Sequence, residues 1–97
     1  IRHSAMLGKP LKTVALCGGA GAFLIGQAKA AGADIFITGD VKYHQFFEAN
    51  VKILLAYIGH YESEQFTREI FYDLLKKNFP KFAVQLSDVN TNPIKYF

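Results

Sequence analysis

The chain has 97 residues, 51% of them apolar, with nine Phe, five Tyr and a formal net charge of +3. That length is one domain and can bury a core, and so apolar a composition excludes a disordered segment. The eleven basic residues are scattered, with Lys76 and Lys77 the only adjacent pair, which argues against the dense basic stripe of a nucleic-acid groove.

Thr13 to Cys17 is a short apolar run closed by Gly18-Gly19, and it predicts a buried strand. Gly21 to Ala31 spaces Phe23, Leu24, Gln27, Ala28 and Ala31 by threes and fours, as a helix does, and Gly32 stops it. Asp34 to Thr38 predicts a second buried strand, followed by Gly39-Asp40 and a short helix over roughly 41–49. Ile53 to Ile58 predicts a third strand ending at Gly59. The longest helix is expected from about Ser63 to Asn78, with Phe66, Ile70, Phe71, Leu74 and Leu75 as its core-facing stripe and Pro80 barring its continuation. Lys81 to Leu86 alternates polar and apolar and predicts a fourth strand, at an edge. The tail carries turn chemistry at Asp88-Val89-Asn90 and Asn92-Pro93.

This order, β-α-β-α-β-α-β, implies an α/β domain over residues 1–97: a mainly parallel sheet with right-handed crossovers and helices packed on it in two or three layers. A single cysteine, Cys17, rules out an internal disulfide, reads as a small core residue and favours a reducing, cytoplasmic setting. The apolar runs are too short and too interrupted for a membrane span. The apolar excess leads us to expect surface that a partner covers.

Ligands of open parallel sheets bind at the carboxyl ends of the strands, so the three strand-to-helix junctions carry the candidate chemistry. Gly18-Gly19-Ala20-Gly21 is a tight turn able to present N–H groups to an anion, but it has neither dinucleotide nor P-loop spacing. Asp40 stands where a helix N-cap would, with His44 one helical turn on. His60 follows the third strand directly, with Glu62 and Glu64 behind it, and Glu64 is one turn from His60. Acids in a first helical turn also suit the helix dipole, and His60 could simply cap or pack. Two neighbouring junctions that each offer imidazole and carboxylate favour a shared metal or phosphate site over two coincidences, with Zn, Mn, Fe or Co as suitable cations. His3 receives no role.

Three segments together, 14–21 (VALCGGAG), 33–44 (ADIFITGDVKYH) and 59–64 (GHYESE), resemble the C-terminal part of the Nif-three-like dinuclear-metal proteins, known as GTP cyclohydrolase I type 2 homologues. The tail 90–93 (NTNP) is similar to that family's ending, so the resemblance runs through nearly the whole chain. It implies two divalent ions (Zn, Mn, Fe, Co or Mg), with His60 and Glu64 as the metal ligands of this part. Asp40, His44, Gly18, Gly19 and Gly21 would be pocket or supporting residues. Ala20 departs from the family, which often has Ser there. The family's other ligands, an adjacent His pair and an Asp, lie in an N-terminal half that these residues do not include. The resemblance therefore implies a C-terminal fragment of a longer metal-binding protein that assembles into ring-like homo-oligomers.

Three functions follow as expectations. The first is a metal-dependent hydrolase-like protein acting on a nucleotide or other phosphate-containing substrate. The second is a non-catalytic metal-binding interaction or regulatory protein, and the third a phosphate-binding module using the glycine-rich turn.

Overall fold

Runs of four to seven residues rich in β-formers build the three parallel strands of one sheet, a two-residue segment adds a fourth strand, and a computed structural model describes it together with all of residues 1–97. The strands are β1 (Arg2–His3), β2 (Val14–Ala20), β3 (Ile35–Gly39) and β4 (Leu54–Tyr57), in the spatial order β1-β4-β3-β2. β2, β3 and β4 run parallel, and β1 lies antiparallel against β4. Between them lie a 3₁₀ turn at Ala22–Leu24 leading into helix α1 (Ile25–Ala30), and a 3₁₀ helix at Tyr43–Ala49. Helices α2 (His60–Glu64) and α3 (Thr67–Asn78) follow. Two units are distinguishable, Ile1–Glu64 and Gln65–Phe97.

The first unit owns the core. Register places Ala15, Phe36 and Leu55 on one rung, so all three face the same side of the pleat. Ile25 and Ala28 of α1, three apart, press onto that side with Ala22, Ala33, Ala49 and Ile53. Ile25, Ile53 and Leu55 lose all contact with solvent. Burial at that level is worth about 1.5–3 kcal/mol for each such side chain. α1 closes with paired bonds from Gly32 N to Lys29 O and from Ala33 N to Ala28 O, the Schellman pattern that satisfies its last carbonyls. The opposite rung, Val14, Ile35 and Leu54, continues onto Leu16, Ile37 and Ala56, and Val14 and Leu16 there are exposed.

In the second unit, α3 keeps Lys76 and Lys77 in its last turn, where cations suit the dipole. Asn78 donates its amide to Leu74 O, and Arg68 Nη1 donates to Ser87 O at 2.6 Å. Phe79 and Phe82 meet edge to face at 5.7 Å and, with Leu75 and Val84, line a small apolar cavity.

The α/β class stands, with corrections. Residues 81–86 form no strand, and the fourth strand of the sheet is Arg2–His3 instead. Alternation says which side chains share a face; only a ladder partner makes a strand, and the half-open edge of β4 takes its partner from the N-terminal segment. The order is thus β-β-α-β-β-α-α, with a mixed sheet. The long helix begins earlier than expected, at His60, and is interrupted at Gln65–Phe66. The apolar stripe Phe66, Ile70, Phe71, Leu74 and Leu75 is not core: every one of these side chains is exposed. Periodicity reports an amphipathic helix and cannot report whether anything covers it.

Candidate metal centre

The carboxyl ends of the three parallel strands meet at glycines that recur every twenty residues, Gly19, Gly39 and Gly59. Gly39 sits between its neighbours' carbonyls, and a Cβ there would stand 2.7 Å from Gly19 O and 2.9 Å from Gly59 O. Only bare backbone lets the three ends come so close. Gly19 itself has φ +64°, and a Cβ there would run into the Glu64 carboxylate and come within 3.5 Å of His60 Nε2. The Gly19 backbone is therefore the floor on which His60 and Glu64 rest.

Hydroxyl groups tie this edge together. Ser63 Oγ accepts from Gly19 N at 2.8 Å and donates to His60 O at 2.8 Å, fastening α2 to β2. Buried Thr38 accepts from Gly21 N at 3.0 Å through its Oγ1 and donates to Gly19 O. A Cβ at Gly21 would collide with Thr38 Oγ1 and stand 2.8 Å from Cys17 Sγ, so Gly21 serves packing; Gly18 has only ordinary contacts, with Ser63 and Glu64. β2 extends to Ala20, but Gly18 and Gly19 have no ladder partner and bulge out between the Cys17–Thr38 and Ala20–Gly39 pairs.

His60, the first residue of α2, stands between two carboxylates. Its Nδ1 meets Asp40 Oδ2 at 2.5 Å and its Nε2 meets Glu64 Oε2 at 3.1 Å. Asp40 reaches it from a left-handed backbone conformation, φ 51°, which Asp tolerates better than most residues. The hydrogen bond that His60 donates to the Asp40 carboxylate raises the His60 pKa above its ordinary value, with the charges of Asp40 and Glu64 adding to it against the opposing cost of desolvation.

The donor set fits a cation. With Nδ1–H donated to Asp40, a neutral imidazole turns its Nε2 lone pair towards the Glu64 carboxylate. Two acceptors 3.1 Å apart repel unless a proton or a metal ion sits between them, and that spacing suits two ligands of one divalent ion, each bonded at about 2.0–2.2 Å. Carboxylate, imidazole and open Nε2 are also the order in which proteins orient a metal-binding histidine. The set is incomplete, because no group of three or more His, Cys, Asp or Glu side chains converges on one point.

Sequence spacing brought Asp40, His60, Glu64 and Gly19 to one place, and the structure assembles them. Asp40 caps nothing: Lys42 is the N-cap of the 3₁₀ helix, its N–H donating to Gln45 Oε1 at 2.8 Å, while the Asp40 carboxylate goes to His60. His44 lies exposed on that helix, and the pocket that Asp40 lines does not include it. A 3₁₀ helix turns faster than an α-helix, so a four-residue spacing no longer aligns two side chains. The Glu62 carboxylate lies over Gly59, where an added Cβ would collide with it. Ser63 and Thr38 were missed, although Ser63 stands inside the GHYESE segment, where a hydroxyl between two ligand types was the available signal.

Against known proteins, residues 1–93 match the family described as Duf34/NIF3 (NGG1p interacting factor 3). A Staphylococcus epidermidis protein named GTP cyclohydrolase 1 type 2 homolog is 37% identical across 99% of this chain, and a Campylobacter jejuni protein of the same name is 38% identical across 92%. The chain spans 27% of the first and 35% of the second. Among solved structures, Staphylococcus aureus protein SA1388 superposes with a TM-score of 0.79 at 28% identity, covering 99% of this chain and 33% of that one. A Bacillus cereus protein related to NIF3 gives 0.74 at 26%, covering 99% and 28%. Strand-end glycines, the GHYESE segment and the fold all lie within the matched residues, and the chain belongs to the Duf34/NIF3 family.

Proposed function

We propose that this chain supplies one part of a divalent-metal centre in a hydrolase-like protein, with His60 and Glu64 as ligands and Asp40 orienting the imidazole. The remaining ligands, for two ions in all, come from polypeptide beyond these residues in a chain of the relatives' length. The observation that carries the reading is the imidazole and carboxylate, His60 Nε2 and Glu64 Oε2, held 3.1 Å apart over a glycine floor. Asp40 keeps the proton on Nδ1 so that the Nε2 lone pair stays available. Ser63 fixes the first turn of α2 against Gly19, so that His60 and Glu64 keep their separation. A divalent ion bound there supplies Lewis-acid polarisation of a substrate oxygen and a water of lowered pKa.

The relatives' name, GTP cyclohydrolase 1 type 2 homolog, supports a nucleotide or other phosphate-containing substrate. A non-catalytic interaction protein is the second reading, supported by the exposed apolar side chains of α3 and by the wording of the family description. The phosphate-binding reading of the glycine-rich turn is the weakest, because Gly19 N and Gly21 N already donate to Ser63 and Thr38.

Two acids in one turn test the ligand assignment. In the longer protein that carries this segment, Glu64→Gln removes most of the bound metal, because an amide is a far poorer ligand than a carboxylate. Glu62→Gln leaves it bound. Metal analysis of the purified variants decides it, and equal retention in both rules out Glu64 as a ligand.

A further inference from the structure

The end of α3 places two aromatic rings in the open. Asn78 is the last helical residue, and Phe79 stands before Pro80, whose ring drives its neighbour out of the helical region, here to φ −132° and ψ 65°. The chain turns there, with Phe79 N still donating to Leu75 O at 2.7 Å and Phe82 N donating to Phe79 O at 3.0 Å. With Leu75 and Val84, the edge-to-face rings of Phe79 and Phe82 line a cavity of about 180 Å³, and no other residue contributes to its wall. A cavity of about 150 Å³ with such walls holds benzene, so this one has room for a single Phe or Leu side chain.

The rim carries one sign of charge. Lys76 lies three residues before Phe79, a neighbour on the helix surface, and Lys81 directly precedes Phe82; both are exposed. Neither is in an ion pair: the pairs of this chain are Lys9–Asp34, His60–Asp40, His60–Glu64 and Arg68–Glu69. Asp73 precedes Leu75 by two residues, which sets it about 200° round the helix from that wall of the cavity.

We infer that this cavity docks an acidic peptide segment of a partner protein, one large apolar side chain seated among Leu75, Phe79, Phe82 and Val84 and its flanking carboxylates meeting Lys76 and Lys81. The inference rests on the interaction-protein reading and names the partner's chemistry. An anchor buried in a pocket supplies most of the energy of such a contact, and charges at the rim supply selectivity. A second copy of this chain is disfavoured, since a two-fold contact on this patch sets Lys76 and Lys81 against the same two lysines. A membrane surface offers no single side chain to a concave site, so the cavity favours a peptide.

The test is fluorescence anisotropy of the chain with a labelled peptide of Asp and Glu around one central Phe. Two control peptides carry Ala at the centre or Lys in place of the acids, and phosphatidylserine vesicles are a further probe. The acidic Phe peptide is expected to bind about tenfold more tightly than either control. Phe82→Ala is expected to weaken it about tenfold and to leave its salt dependence in place. Lys76→Gln combined with Lys81→Gln is expected to weaken it about fivefold and to flatten the salt dependence. Both lysines are exposed, so this double variant keeps its fold whatever Phe82→Ala does. Equal affinity for the Phe and Ala peptides overturns the inference, as does equal affinity for the acidic and Lys peptides. Binding of vesicles, or a dimer in sedimentation that Phe82→Ala dissociates, overturns it when no peptide binds but leaves the interaction reading standing. If peptide, vesicles and a second copy all fail to bind, both fall.

Discussion

The two ends of the three parallel strands each gather around carboxylates, and they treat them oppositely. At the amino end, Asp34 precedes β3 with its side chain 13% exposed. It accepts from Lys9 Nζ at 2.6 Å, Lys12 N at 2.9 Å and Thr13 N at 3.0 Å. The Lys9 bond, followed by those two backbone N–H groups, holds its pKa well below the usual carboxylate range. At the carboxyl end, Asp40 and Glu64 are 47% and 51% exposed and share a single imidazole. The first end is closed, with donors from its own chain on both oxygens, and it clasps the segment 9–13 to the sheet. The second has more acceptors than donors. A carboxylate that its own chain satisfies is part of the scaffold; a group left short of donors is where an external cation fits.

The largest effect expected concerns the floor of the open end. Gly19→Ala adds a Cβ at φ +64° against the Glu64 carboxylate. Thermal or urea unfolding should record a loss of about 1–3 kcal/mol, the usual size of such backbone strain. Gly26→Ala, in α1 with open space around it, should instead be neutral or stabilising by about 0.5–1 kcal/mol. Equal effects of the two substitutions would mean that the glycine floor is not tight.

Next comes the closed end. A carboxylate whose folded pKa is depressed contributes stability above its unfolded value, near 3.8, and loses it as pH falls towards the folded value. Asp34→Asn should therefore lower Tm clearly at pH 7, with a penalty that shrinks between about pH 5 and pH 2. A pH-independent penalty would show that Asp34 acts through shape and not charge.

The smallest effect sharpens the contrast most. Asn adopts the left-handed backbone of position 40 as readily as Asp does, so Asp40→Asn should move Tm by no more than about 2 °C. If the proposed metal centre holds, the same change in a chain of the relatives' length should weaken metal retention, because the amide orients His60 less firmly. A fall in Tm matching that of Asp34→Asn would make both ends of the sheet structural.

The parallel core was legible because Thr13–Cys17, Asp34–Thr38 and Ile53–Ile58 are apolar runs bounded by glycine, and the structure places β2, β3 and β4 within a few residues of them. That Asp40, His60 and Glu64 lie at one edge was legible as well, since the ends of parallel strands share it, whereas the Asp40–His60 pairing was not, Asp40 having read as an N-cap beside His44. What escaped was non-local. Arg2–His3 carries no pattern of its own and becomes a strand only because β4 has a free edge. Lys81–Leu86 carries the pattern and finds no partner. His44 was misplaced by a helix type that four-residue spacing cannot reveal, and Arg2 enters the pocket that Asp40 and Lys42 line only through the β1–β4 pairing.

The central claim, that His60 offers Nε2 to a cation while Asp40 holds Nδ1, is tested most directly by the imidazole nitrogens themselves. Long-range ¹H–¹⁵N spectra of the chain, recorded through a zinc titration, distinguish both nitrogens of each histidine. The account predicts a saturable change at His60 Nε2, with Nδ1 still protonated on Asp40 and with His3 and His44 unmoved. Binding should be weak, since two protein ligands do not close a site, and Glu64→Gln should weaken it further. A response at Nδ1, or one spread equally over all three histidines, would contradict the account.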